Sequence, residues 1–198
     1  MANHVNTNVE FRNLNEAGKA KLAELISRVR PTEEGRHYQW FGDMWVDGKE
    51  GSPSYEETDQ YAWTTENIGP KWCYFEDIGD DYFNTTSAWS YPEDGLVWMF
   101  EQISAVNPEV VAVVTYEDEM PNFFGLMIWA ESSYYDSAEW DSDEIQNLME
   151  ERVPEIAEMK DEDEDLTEEG WDLWHENIWE LASDTQFEYI NDTLENLE

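Results

Sequence analysis

Basic residues are scarce in this chain of 198 residues: 10 Lys and Arg stand against 48 Asp and Glu, for a formal net charge of −38. A field of that sign repels the polyanionic backbone of DNA or RNA and anionic membrane surfaces, so neither direct nucleic-acid binding nor membrane association is expected. Cysteine occurs once, as Cys73, which excludes an internal disulfide framework and fits a reducing compartment. Set in the apolar run 72–75, Cys73 reads as a small buried hydrophobe rather than a nucleophile, since only Lys71 supplies a nearby positive charge. Runs of 18 apolar residues are absent, as is a signal-peptide-like start. The expected location is the cytoplasm.

Recognisable catalytic patterns are missing as well. His4, His37 and His175 lie far apart, and there is no His-x-x-x-His pair, cysteine cluster, glycine-rich phosphate loop or serine elbow. Carboxylates are so abundant that a catalytic pair does not stand out from its background. The block DEDED over 161–165 puts Asp161, Asp163 and Asp165 at ligand positions of a calcium loop. Leu166 then replaces the required glycine and Asp172 the closing glutamate. No metal and no cofactor are expected, and His175 reads as a boundary histidine held by an acid.

What the chain does have is aromatic residues: 11 Trp, 10 Tyr and 8 Phe. Acidic disordered chains are poor in these, so this one is expected to fold despite its charge. The charge is also uneven. Residues 1–36 carry six basic and five acidic residues, a net of +1, and the remainder carries four against 43, a net of −39.

The stretch 66–131 contains a nearly complete layered α+β core. The run VVAVVTY over 110–116 predicts a central strand, and FFGLMIWA over 123–130 its partner across a polar hairpin loop. Ser90, Pro92 and Glu93 predict a capped helix start, followed by Leu96, Phe100 and Ile103 on one face. Residues 72–76 and 82–89 predict a strand pair. Upstream, 8–11 alternates as a first strand, and a helix capped around Asn13–Glu16 carries Leu22, Leu25, Ile26 and Val29 on one side until Pro31. Its exposed side reads as the chain's one basic surface. The aromatic-rich, aperiodic 37–65 reads as an insertion packed on the sheet.

Three motifs in this region carry a family resemblance: Asn67, Gly69, Lys71 and Trp72 in NIGPKW; Ala88, Trp89, Ser90 and Pro92 in SAWSYP, entering a helix; and Phe124 and Gly125 in NFFG after an acidic turn. Together with the opening MANHVN they resemble the YubB-type ferredoxin-like family of uncharacterised phage and plasmid proteins. The resemblance covers about residues 1–131, with an insertion at 31–66. It implies a ferredoxin-like βαββαβ sheet, here with an added fifth strand, and a phage or plasmid origin; it implies no activity. In an infected cell the location would be the host cytoplasm.

Residues 132–198 are expected to form an acidic helical extension packed on that core. Asp141 and Glu144 predict a helix start, with Ile145, Leu148 and Met149 inside it. In the last third, Trp171, Trp174, Ile178 and Leu181, then Phe187, Ile190, Leu194 and Leu197, recur at helical spacing, separated by the capping-box pattern SDTQ at 183–186. Two helices, or one with a break near Ser183, are predicted. Every fourth residue is acidic: Glu168, Asp172, Glu176, Glu180, Asp184 and Glu188. At about 1.5 Å rise per residue such charges recur every ~6 Å, and two neighbouring rows approach the duplex spacing of about 1.7 Å per charge to within a small factor. Three readings follow. One is a non-enzymatic acidic interaction protein that engages a basic protein, including by imitation of nucleic acid. The others are an acidic domain adapted to high salt with an unrelated role, and an enzyme whose site the sequence does not display.

Overall fold

The computed structural model describes residues 3–29, 39–45, 60–120, 122–160 and 165–197. Seven strands make one sheet: β1 (His4–Arg12), β2 (Gln39–Trp40), β3 (Cys73–Ile78), β4 (Tyr82–Ala88), β5 (Val111–Asp118), β6 (Phe123–Ala130) and β7 (Ser133–Asp141). Their order is β2-β3-β4-β1-β5-β6-β7, antiparallel throughout. The fold is therefore α+β, with seven strands where five were expected.

β1 is longer than the expected 8–11 and is the middle strand. Its odd-numbered residues Val5, Thr7, Val9 and Phe11 are buried, while His4, Asn6 and Glu10 are exposed and Asn8 is half-buried. This strict alternation gives the sheet two unlike faces. The first face is apolar. Val5, Val9, Phe75, Phe83 and Val114 pack there under α1 (Glu16–Ile26), a short 3-10 helix (Phe41–Trp45), α2 (Gln60–Asn67) and α3 (Glu93–Ser104). Asn15 rather than Asn13 caps α1, its Oδ1 accepting from the Gly18 amide at 2.9 Å. The expected Ser90–Glu93 cap on α3 does not form. Pro92 is the capping residue, with no side-chain bond, and the Ser90 carbonyl instead accepts from the Ser87 hydroxyl at 2.7 Å.

Within the insertion, Trp40, Phe41 and Met44 are buried, Phe41 lies 5.1 Å from Phe75, and Trp45 stacks on Trp98 of α3 at 4.1 Å. These aromatics are core. His37, Tyr38 and Tyr55 lie outside the described residues, as do Pro31 and Asp161, Asp163 and the rest of 161–164. On α1 and just after it the basic side chains are paired locally, Lys21 and Arg28 both reaching Glu24 and Lys19 reaching Glu16.

The second face is covered over only part of its width. α4 (Ser142–Arg152) begins with the expected capping box, Asp141 accepting from the Asp143 and Glu144 amides and Glu144 reaching back to the Asp141 amide. With α5 (Glu155–Glu158) and α6 (Glu168–Glu195) it buries Phe124, Ile145, Met149, Trp174 and Ile178, while Ile190 packs with Val113, Leu126 and Ile128. The region beyond residue 131 thus contributes a strand as well as helices, since β7 pairs with β6 along its length.

α6 is a single helix of 28 residues, and no break occurs at Ser183. The capping pattern there is overridden because Gln186, 7% exposed, points at the sheet. Like charges four apart cost a few tenths of a kcal/mol each, so the whole acidic row opposes the helix by about 1–3 kcal/mol. Burying Trp174, Ile178, Leu181 and Ile190 contributes about 1.5–3 kcal/mol per side chain. Packing wins.

Candidate functional site

Where α6 stops covering the second face, a polar trough opens over β3, β4, β1 and β5. Two adjoining clefts of about 590 and 640 Å³ make it up, sharing Asn6, Glu76 and Thr86. Cross-strand register explains its composition. Asn6 stands opposite Thr86 and Glu117, and Asn8 opposite Asn84 and Thr115, so the outward positions of three strands form rows of amides and hydroxyls. A kink between Phe75 and Asp77 in the β3–β4 pairing places Glu76 at the margin.

One end of the trough is aromatic. Trp72 and Tyr74 alternate onto the same face and stack at 5.6 Å, and His4 meets the Trp72 ring edge-on at 5.2 Å. Glu119 closes this end, its carboxylate 3.7 Å from His4 Nδ1. The other end is walled by Ser183 and Gln186 of α6. Gln186 is anchored there by donating to two main-chain carbonyls of β5 and β6. Three carboxylates, Glu76, Glu117 and Glu119, line the trough, and among the described residues no lysine or arginine does. Burial holds the Glu117 carboxyl above the usual carboxylate range.

The α6 acidic row forms the second surface. Glu168, Asp172, Glu176, Glu180, Asp184 and Glu188 are all exposed. They do not make a straight stripe. Four residues at about 100° each advance the row by ~40° per step, so from Glu168 to Glu188 it winds about 200° around the helix. Its middle is also partly neutralised: Arg152 of α4 places Nη1 2.8 Å from Asp184 and Nη2 3.4 Å from Glu180. Beside the row, Trp171, Trp179 and Phe187 are exposed, contrary to the buried stripe expected to include Trp171 and Phe187. His175 is exposed, with its ring against Trp171 and Trp174.

The motif residues do not converge on one site. Asn67 closes α2, its Nδ2 donating to the Trp63 carbonyl at 2.9 Å, and Gly69 follows with φ +111°. That φ favours glycine. Lys71 is exposed, and only Trp72 reaches the trough. Ala88 and Phe124 are core, Ser90 and Pro92 shape the start of α3, and Trp89 is exposed with a left-handed φ of 74°. Gly125 lies beneath Tyr116, whose hydroxyl reaches over it to donate to Glu139 Oε2 at 2.9 Å.

Cys73 is fully buried, and burial pushes its thiol far above the ordinary range, as suits a core residue and not a nucleophile. Among the described residues no group of three His, Cys, Asp or Glu is placed to hold a metal ion, and no helix is long and apolar enough to cross a membrane.

Sequence reasoning missed the trough. Its residues come from β1, β3, β4, β5 and α6, and the motifs that touch it, NIGPKW at Trp72 and SDTQ at Ser183 and Gln186, were read for other reasons. The period-two runs His4-x-Asn6-x-Asn8 and Trp72-x-Tyr74-x-Glu76 were the available signal, each placing its residues on a common strand face. Compared with family models, curated proteins and solved structures, the chain matches none.

Proposed function

We propose that this protein is a non-enzymatic interaction protein whose acidic surface holds a basic segment of a partner protein. The observation that carries this reading is the adjacency of two carboxylate-rich surfaces: the exposed row of α6 and the open trough that α6 walls. A surface of one sign accelerates and orients encounter with a partner of the other. The phage or plasmid kinship and a cytoplasmic setting belong to the same reading. So does the ferredoxin-like assignment, which is supported by β1-α1-β3-β4-α3-β5 in the order β3-β4-β1-β5.

Imitation of nucleic acid is the narrower form of this function. The row winds in the right-handed sense of its helix, as duplex phosphates do. Its turn is about 54 Å, against roughly 34–36 Å for DNA. The row is thus a loose match to a duplex backbone, and the partner's basic surface decides the fit.

The test is an affinity pull-down from a nuclease-treated bacterial lysate at about 0.1 M salt, eluted with competitor duplex DNA. Recovery of one or two specific DNA-binding proteins, released by both DNA and salt, is expected. An unselective smear of basic proteins, or stability lost at low salt with no partner recovered, would instead leave an acidic domain adapted to high salt.

A further inference from the structure

We infer that the trough is an arginine-selective seat for an extended basic segment of the partner, with one guanidinium at the Trp72 end. This deepens the basic-partner reading above and rests on it. Among the described residues no element covers this face in the middle of the sheet: Asn6, Glu76 and Glu119 are exposed, and Trp72, Asn8, Asn84 and Thr86 half-buried, although the strands beneath them are the core of the fold. Solubility alone would be served by charges there. Amides, hydroxyls and a ring pair between those charges are better suited to a ligand that is cationic, planar at one point and hydrogen-bonding along its length.

Each part of the trough matches a part of such a segment. A guanidinium lies flat on an aromatic face and presents a fork of N–H groups to a carboxylate, which an ammonium does not. Trp72 and Tyr74 supply the rings, and Glu76 and Glu119 the flanking carboxylates. The side-chain amides of Asn6 and Asn8, with the Thr86 and Thr115 hydroxyls, offer both donors and acceptors to a passing main chain. Glu117 offers a further carboxylate farther along.

The main competing occupant is single-stranded RNA, which four-stranded sheets bind by stacking bases on exposed aromatics. Such binding needs cations for the phosphates. This trough sets Glu76, Glu117 and Glu119 there instead. Charge complementarity selects the basic peptide.

The proposal is tested by fluorescence anisotropy of two labelled peptides that alternate glycine with either arginine or lysine, at about 0.1 M salt. The arginine peptide is expected to bind about 5- to 20-fold more tightly. Trp72→Ala and, separately, Glu119→Gln should each lower its affinity about 3- to 10-fold and reduce the preference over lysine. Glu101→Gln on α3, across the sheet, is the charge-matched control and should change binding less than 2-fold. Circular dichroism reports whether Trp72→Ala folds, and the exposed Glu119→Gln carries the test if it does not.

Equal affinity for both peptides, insensitive to Trp72 and Glu119 but reduced by Glu176→Gln with Glu188→Gln, would overturn the trough and leave the basic-partner reading on α6. Binding of neither peptide, with no partner in the pull-down, would overturn both.

Discussion

Gln186 and Gly125 meet through a hydrogen bond of 2.8 Å, the Gln186 side-chain amide donating to the Gly125 carbonyl, and the same nitrogen donates to the Tyr116 carbonyl at 3.2 Å. Tyr116 and Gly125 are directly opposed in the β5–β6 pair, so one side chain pins α6 to two strands. Gln186→Leu keeps the volume and removes both bonds, and should lower stability by about 1–2 kcal/mol. Gln186→Glu aims a buried carboxylate at two carbonyl oxygens and should cost more, about 2–4 kcal/mol at neutral pH. That carboxyl would have a folded pKa above its unfolded value, so its penalty is full above the folded pKa and relieved as pH falls through it. Urea midpoints for both variants at about pH 7 and about pH 4.5 check the sign.

Gly125 is also constrained from the other side of the sheet. A Cβ there would collide with the Tyr116 hydroxyl and sit 2.8 Å from the Ala138 carbonyl oxygen. The ring can move and the backbone of β7 cannot. Gly125→Ala is expected to destabilise by about 2–4 kcal/mol. Tyr116→Leu in the same chain should recover part of that loss, giving a non-additive double-mutant cycle by thermal or chemical unfolding.

Arg152 bridges α4 to the middle of the acidic row. Its partners Glu180 and Asp184 are more than half exposed, so the pairing is worth only about 0.5–1 kcal/mol at low salt. Arg152→Ala should lower the melting temperature in dilute buffer and lose most of that effect at about 1 M salt, where the Debye length falls to ~3 Å. Equal destabilisation at both ionic strengths would mean that Arg152 acts through packing of its stem.

Carboxylates of opposite bias make the acid limb of stability informative. Glu150 is held below the usual range, chiefly by the hydrogen bond from Lys160 and then by that from Gln146. Its contribution is present at neutral pH and lost as pH falls through its folded pKa. Glu117 is biased the other way by burial, so the folded state binds its proton more tightly and Glu117 favours folding as pH falls. Glu117→Gln should therefore raise the urea midpoint at neutral pH, with the gain vanishing in acid.

How much of this was legible in the sequence depended on whether a residue's partners were close along the chain. The α4 capping box was, because Asp141 and Glu144 satisfy each other within one turn. So were β5 and β6, whose β-branched and aromatic runs are buried on both faces. β7 was not. Its SYYDSAEWD is polar and mostly exposed, and it is a strand because β6 offers it a ladder and Tyr189 reaches Asp136 from α6. The SDTQ pattern misled because a local cap competes with a distant partner, and the β5 and β6 carbonyls claimed Gln186. The trough was hidden for the same reason: Asn6, Thr86 and Glu117 become neighbours only through strand register.

Because α6 follows in the chain the strands it covers, its part of the second layer is made after the sheet beneath it. A ribosome releases Val113, Leu126 and Ile128 well before Ile190, which packs with them. During that interval the nascent sheet shows a bare apolar face on its β5–β6 side. Its polar β1–β4 side needs no such cover. Vectorial synthesis therefore leaves one half of a single sheet face in need of shielding, by a chaperone or by speed, while the other half is already in its finished state.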